Sequence, residues 1–174
     1  LLKPLGLENA AGRELSLKLS EKRIREAKSL LQEFGISDED LIVGVHAGSS
    51  TDRDMHLKRW EPDRYRQVCE ELISRYGAKF LIFGGPDEAD IKQKLAGSLG
   101  QNGFVIENRP LLATAALIGC CGLFISNDSG LMHVAVAMDV PTAAIFGPTD
   151  PGRTAPYGAK HKVIRSGIHC SPCW

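Results

Sequence analysis

Short apolar runs recur along this chain with helical segments between them, and that alternation limits the fold more than any other feature. The runs read LIVGVH (41–46), KFLIFGG (79–85), GFVIE (103–107), GLFIS (122–126) and TAAIF (142–146), with HKVIR (161–165) a candidate sixth. They are rich in β-branched and aromatic residues, as strands are. Their apolar residues are near-continuous rather than alternating, which is how strands covered on both faces read. Helical signals fill the gaps. Ser20 can cap a helix reaching Phe34, on which Ile24, Ala27, Leu30, Leu31 and Phe34 share a face and which Gly35 can end. Pro62 suits the first turn of a second helix, with Tyr65, Val68, Leu72 and Ile73 on its face and Gly77 as its stop. A charged helix over about 87–97, a small apolar one over 110–119 and one over 130–138 follow. Strands alternating with helices predict a parallel sheet with helices on both faces, so the expected class is α/β, a Rossmann-like doubly wound fold. At 174 residues the chain can bury one real core.

Several function classes fall away. Lys plus Arg equals Asp plus Glu at 21 each, so the basic surplus of a nucleic-acid binder is missing. No run approaches the roughly 20 apolar residues of a membrane span, and no signal-peptide layout opens the chain. The chain starts at Leu1 rather than Met and stops at Trp174, and a further N-terminal portion is expected. Cys69, Cys120 and Cys121 sit in apolar segments and read as small buried hydrophobes. Cys170 and Cys173 form a CxxC pair, which can be half a zinc site, a redox pair or a plain turn. A zinc site needs two more ligands, and neither a second CxxC nor a close His pair supplies them.

In doubly wound folds ligands bind outside the carboxyl ends of the strands. The unusual residues fall there. After the first run comes HAGSSTDRDMHLKRW, after the second Gly84-Gly85-Pro86-Asp87-Glu88, after the fourth Asn127-Asp128-Ser129-Gly130, and after the fifth Gly147-Pro148-Thr149-Asp150. Ser129 and Gly130 would open a helix, whose free N–H groups and partial positive charge suit phosphate. Lys58 adds a mobile full charge suited to a diphosphate. Each residue also has an ordinary structural reading. Ser129 or Asp128 can be a helix cap, His133 a wall or core histidine, Lys58-Arg59 a solvated pair, Trp60 a packing residue and Gly84-Gly85-Pro86 a turn. Neither G-x-G-x-x-G nor the P-loop pattern occurs, and Ser129 lacks the G-x-S-x-G elbow of a hydrolase.

The string NDSGLMHVAVAMDVPTAAIFGPTDPGR closely resembles the C-terminal signature of the ADP-heptose:lipopolysaccharide heptosyltransferases, glycosyltransferase family 9. HAGSS…KRW, LIFGGPDEADI and CSPC fit the same family in the same order, so the resemblance covers roughly residues 41–174. It implies the C-terminal, donor-binding half of a GT-B enzyme, with residues 1–40 a connecting segment and a helix packing on a donor domain at 41–174. The acceptor half, which in this family carries the catalytic aspartate, has no counterpart in the sequence, so no residue here is assigned as catalytic.

By the same resemblance Lys58 contacts the donor diphosphate, and Ser49, Ser50 and Thr51 meet phosphate from the other side. Asp87 or Glu88 lies near the adenosine ribose. Asp128 bears on the heptose hydroxyls or orders the turn, Ser129 and Gly130 present hydroxyl and amide to phosphate, and His133 stands at the donor site or behind it. Asn108 and Arg109 depart from the family's pattern, and Leu131 replaces a common proline, as in some enzymes of the second-heptose type. The implied reaction is inverting transfer of heptose from ADP-heptose to the lipopolysaccharide inner core, without metal or cofactor, in the cytoplasm and with peripheral contact at the inner membrane. The competing expectation is a non-catalytic nucleotide-sugar binding or sensing module on the same scaffold. A third is a zinc-tethered interaction domain built on Cys170 and Cys173.

Overall fold

A computed structural model describes residues 15–50 and 52–173, the side chains of residues 52 and 53 excepted. Six strands form one parallel sheet: β1 (Ile42–His46), β2 (Lys79–Ile82), β3 (Gly103–Val105), β4 (Leu123–Asn127), β5 (Thr142–Ile145) and β6 (Lys162–Ile164). Their order is β3-β2-β1-β4-β5-β6. Every adjacent pair is parallel, with Val43 beside Phe80 on one side of β1 and beside Leu123 on the other. The helices are α1 (Glu21–Glu33), α2 (Pro62–Tyr76), α3 (Ala89–Ser98), α4 (Leu111–Ile118), α5 (Gly130–Ala137) and the single turn α6 (Pro151–Thr154).

Local chemistry sets the ends of these elements. Ser20 Oγ accepts from the Arg23 N–H at the start of α1. Pro62 begins α2, and Gly77, at φ +63°, ends it in the left-handed region, where a side chain would be strained. Asp150 caps α6 through the Gly152 N–H. Residues 47–59 were expected as a polar loop; within it Asp52–Lys58 coil into a 3-10 helix, which carries no apolar period to betray it.

The strand pleat divides the core in two. Val43, Val45, Phe80, Ile82 and Ile125 point to one face, where Tyr65 and Cys69 of α2 and Leu95 and Ala96 of α3 cover them. Ile42, Leu81 and Phe124 point to the other, against Ala27 and Leu31 of α1, Ala116, Leu117 and Ile118 of α4 and Ala135 of α5. This double cover is why the strands lack alternation in sequence. Fully burying a side chain such as Phe80 stabilises by about 1.5–3 kcal/mol. At one edge all three residues of β6 are exposed. No helix among the described residues is long and apolar enough to cross a membrane.

Candidate functional site

The chain leaves β1 toward β2 and β3 on one side, then returns to place β4 on the other. The loops that follow β1 and β4 therefore diverge from adjacent strand ends and leave a crevice. A cleft of about 920 Å³ lies there. Its walls come from the segment after β1 (Ser49, Ser50, Lys58), the turn after β2 (Gly84 to Glu88) and the start of α5 (Asp128, Ser129, Gly130). Glu107, Asn108 and Arg109 after β3 close the remaining side.

One buried amide ties these loops together. Asn127, fully buried at the end of β4, accepts from the Trp60 N–H and the Tyr65 hydroxyl, both at 2.9 Å. Its amide group donates to the carbonyls of Ala47 at 2.9 Å and Gly48 at 3.0 Å. Trp60 also stands edge-on to Tyr65, so its packing reading holds. Ser49 is pinned nearby: its hydroxyl donates to the Met55 carbonyl, and the Arg59 guanidinium donates to its Oγ and carbonyl. Arg59 is thus a structural clamp rather than a solvated charge.

The charged groups are arranged around Asp128, which is 5% exposed. Lys58 Nζ donates to Asp128 Oδ2 at 2.8 Å across 70 residues of sequence. Ser129 occupies the cap position of α5, yet its side chain makes no capping bond. Instead Ser129 Oγ lies 2.9 Å from His46 Nδ1, and His46 Nε2 lies 3.1 Å from Glu88 Oε2. The first N–H groups of α5 therefore have no side-chain cap and face the cleft, the disposition that suits an anion. Glu88 also accepts from the Gly85 N–H at 2.6 Å, with Arg59 at 4.0 Å. Burial pushes its carboxyl up, but His46, the Gly85 N–H and Arg59 outweigh that and hold it below the usual carboxylate range. A β-carbon on Gly48 would stand 1.8 Å from Glu88 Oε1, so this close approach requires glycine.

Of the residues singled out in sequence, Ser49, Ser50, Lys58, Asp87, Glu88, Asp128, Ser129 and Gly130 all line the cleft. Asp87 is an exposed carboxylate on its rim, while Glu88 faces inward. Thr51 lies outside the described residues. His133 does not line the cleft: Gly130, Leu131 and Val134 form the lining stripe of α5, and His133 falls to one side of it. The Gly147–Asp150 loop, expected as a cleft wall, does not line it either. It holds the C-terminal turn instead, through Ser171 Oγ to the Gly147 carbonyl and the Cys173 N–H to the Pro148 carbonyl. Cys170 and Cys173 are exposed, and no group of three or more His, Cys, Asp or Glu gathers as a metal site among the described residues. His46 escaped the sequence reading. Its one signal was a polar residue closing a buried strand run, and its partners are 42 and 83 residues away.

Fold and cleft together define a Rossmann-like domain with a cleft lined by charged and polar groups at the switch point of its sheet. Residues 3–174 match the profile of glycosyltransferase family 9 (heptosyltransferase). The chain is 31% identical over 150 residues to lipopolysaccharide heptosyltransferase 2 of Salmonella typhimurium, covering 82% of this chain and 42% of that protein. It superposes on the family 9 glycosyl transferase from Veillonella parvula with a TM-score of 0.84, at 28% identity, over 96% of this chain and 47% of that one. An Escherichia coli heptosyltransferase solved with ADP gives a TM-score of 0.64 at 26% identity, over 80% of this chain and 42% of that one. The chain thus spans less than half the length of these relatives. It belongs to glycosyltransferase family 9, the heptosyltransferases, and its sheet is a Rossmann-like unit of their GT-B architecture.

Proposed function

We propose that this chain is the donor-binding half of an inverting heptosyltransferase, holding ADP-heptose for transfer to the inner core of lipopolysaccharide. The observation that carries the reading is the switch-point cleft, where Lys58, Ser129 and the uncapped start of α5 converge in a family 9 chain. The diphosphate sits at the start of α5, met by Lys58 on one side and by Ser49 and Ser50 on the other. Asp87, on the opposite rim, meets the ribose, and Asp128 turns to the sugar hydroxyls once Lys58 engages phosphate. Adenine packs toward the segment carrying Asn108 and Arg109.

In direct displacement negative charge grows on the departing ADP. Donors already aimed at that position stabilise it without reorganisation. The helix start and Lys58 supply such donors here. The base that activates the acceptor hydroxyl, the acceptor itself and any contact with the inner membrane belong to the remainder of the protein.

Calorimetry with ADP tests the site directly. Binding is expected, and Lys58→Ala should weaken it by about 1.5–3 kcal/mol, the worth of a charge-assisted hydrogen bond. That is roughly one to two decades in Kd. A folded chain that takes up no ADP would defeat the reading, and an unchanged Kd in Lys58→Ala would remove Lys58 from the site.

A further inference from the structure

Three side chains stand in a row behind the start of α5: Glu88, His46 and Ser129. His46 is 5% exposed and Glu88 8%, so solvent does not set their hydrogen bonding. Glu88 is ionised for the reasons given above and can only accept. The ring nitrogen facing it, Nε2, therefore carries a proton. The state of Nδ1 then decides what Ser129 can do.

In the neutral ring Nδ1 is bare, and Ser129 must donate its hydroxyl hydrogen to it across 2.9 Å. The oxygen then offers only lone pairs to the cleft. In the imidazolium, Nδ1–H donates to Ser129 Oγ, and the hydroxyl hydrogen is released toward the cleft. An anionic oxygen beside Gly130 is repelled by the first arrangement and hydrogen-bonded by the second. A third arrangement, with Ser129 turned to the anion and Nδ1 left bare, buries an unpaired acceptor.

The geometry points to a proton-coupled anion site: His46 is a positioning residue that takes up a proton as a nucleoside diphosphate binds, turning Ser129 from acceptor to donor. This rests on the nucleotide-sugar reading of the cleft. The surrounding charges are mixed. Glu88 touches the ring and favours the imidazolium. Arg59 behind Glu88, Lys58 on the cleft side and Lys92, bonded to the Gly84 and Ile106 carbonyls, oppose it. Asp128 offsets Lys58 by pairing with it. Asp87, Glu107 and Arg109 line the farther wall. A bound diphosphate adds negative charge where Ser129 faces, which tips the balance toward the charged ring. Because linkage is reciprocal, protons must also tighten binding.

The test is ADP calorimetry on this chain in buffers of different ionisation enthalpy. It is run at about pH 8, where a phosphate with a second pKa near 6 is already ionised. The native chain should take up protons, at most about one per ADP, and its affinity should fall with rising pH by up to about tenfold per unit. Ser129→Ala and His46→Gln should both bind without uptake and lose that pH dependence. Ser129→Ala keeps His46 and Glu88 in place, so the test survives if His46→Gln does not fold. ADP binding without proton uptake, or equal uptake in native chain and Ser129→Ala, overturns the coupling and leaves the nucleotide reading standing. A folded chain that binds no ADP overturns both.

Discussion

Asn127 commits its whole hydrogen-bonding capacity to three separate stretches of chain: residues 47–48, Trp60 and Tyr65. Asn127→Ala would leave a backbone N–H, a hydroxyl and two carbonyls without this partner in a dry interior. Each stranded group costs about 1–3 kcal/mol, less any local relaxation. A loss of about 3 kcal/mol or more is expected in urea denaturation. Tyr65→Phe should cost only about 1 kcal/mol, since Trp60 still satisfies the same carbonyl oxygen. Equal losses from the two changes would mean that Asn127 is not the knot. At this scale the sequence was only partly readable. Lys58, Asp128 and Ser129 announced themselves as polar residues beyond strand ends. Nothing local marked His46 as Ser129's partner, because only the strand order brings residues so distant in sequence together.

The elements were far more legible, because burial on both sheet faces writes long apolar runs that few alternatives explain. The small failures have physical causes. A single turn such as α6 is too short to show a period, and β3 stops at Val105 although GFVIE runs on to Glu107. Two glycines give opposite predictions at this scale. A β-carbon on Gly44, in the middle of β1, would meet Phe124 Cδ2 at 2.5 Å and Cys121 Sγ at 3.1 Å. Phe124 is fully buried and leans on Phe83, so it cannot yield freely. Gly44→Ala should therefore destabilise by about 1–3 kcal/mol through overpacking. Gly97, on α3, has nothing within 4 Å of such a carbon. Gly97→Ala should stabilise by about 0.5–1 kcal/mol through helix propensity. Thermal melts of the two variants should move in opposite directions. A shared direction would contradict the packing given for β1.

For the whole molecule, pH adds a global term. The Ser37 N–H, Lys79 and the Ser37 hydroxyl hold the Asp40 carboxyl down to about 2, and Glu88 is also held below the usual range. Both carboxyls bind protons more weakly folded than unfolded. Their stabilisation is therefore complete above the ordinary carboxylate value near 4 and is lost as pH falls through the folded values, for Asp40 about 2. Urea midpoints should drop as pH falls from about 4 toward about 2, and Asp40→Asn should flatten part of that drop. An undiminished slope in Asp40→Asn would remove Asp40 from the acid response.

The Lys58–Asp128 pair has one more consequence. An anion that recruits Lys58 must first outbid a carboxylate of the protein's own, already seated at 2.8 Å and largely shielded from water. The pair works as a built-in rival that sets a threshold of charge. On the proposed reading a diphosphate would also meet the helix start, where chloride or a lone sulfate would gain little over Asp128. The cleft would then screen small ions by what they must displace, not by whether they fit.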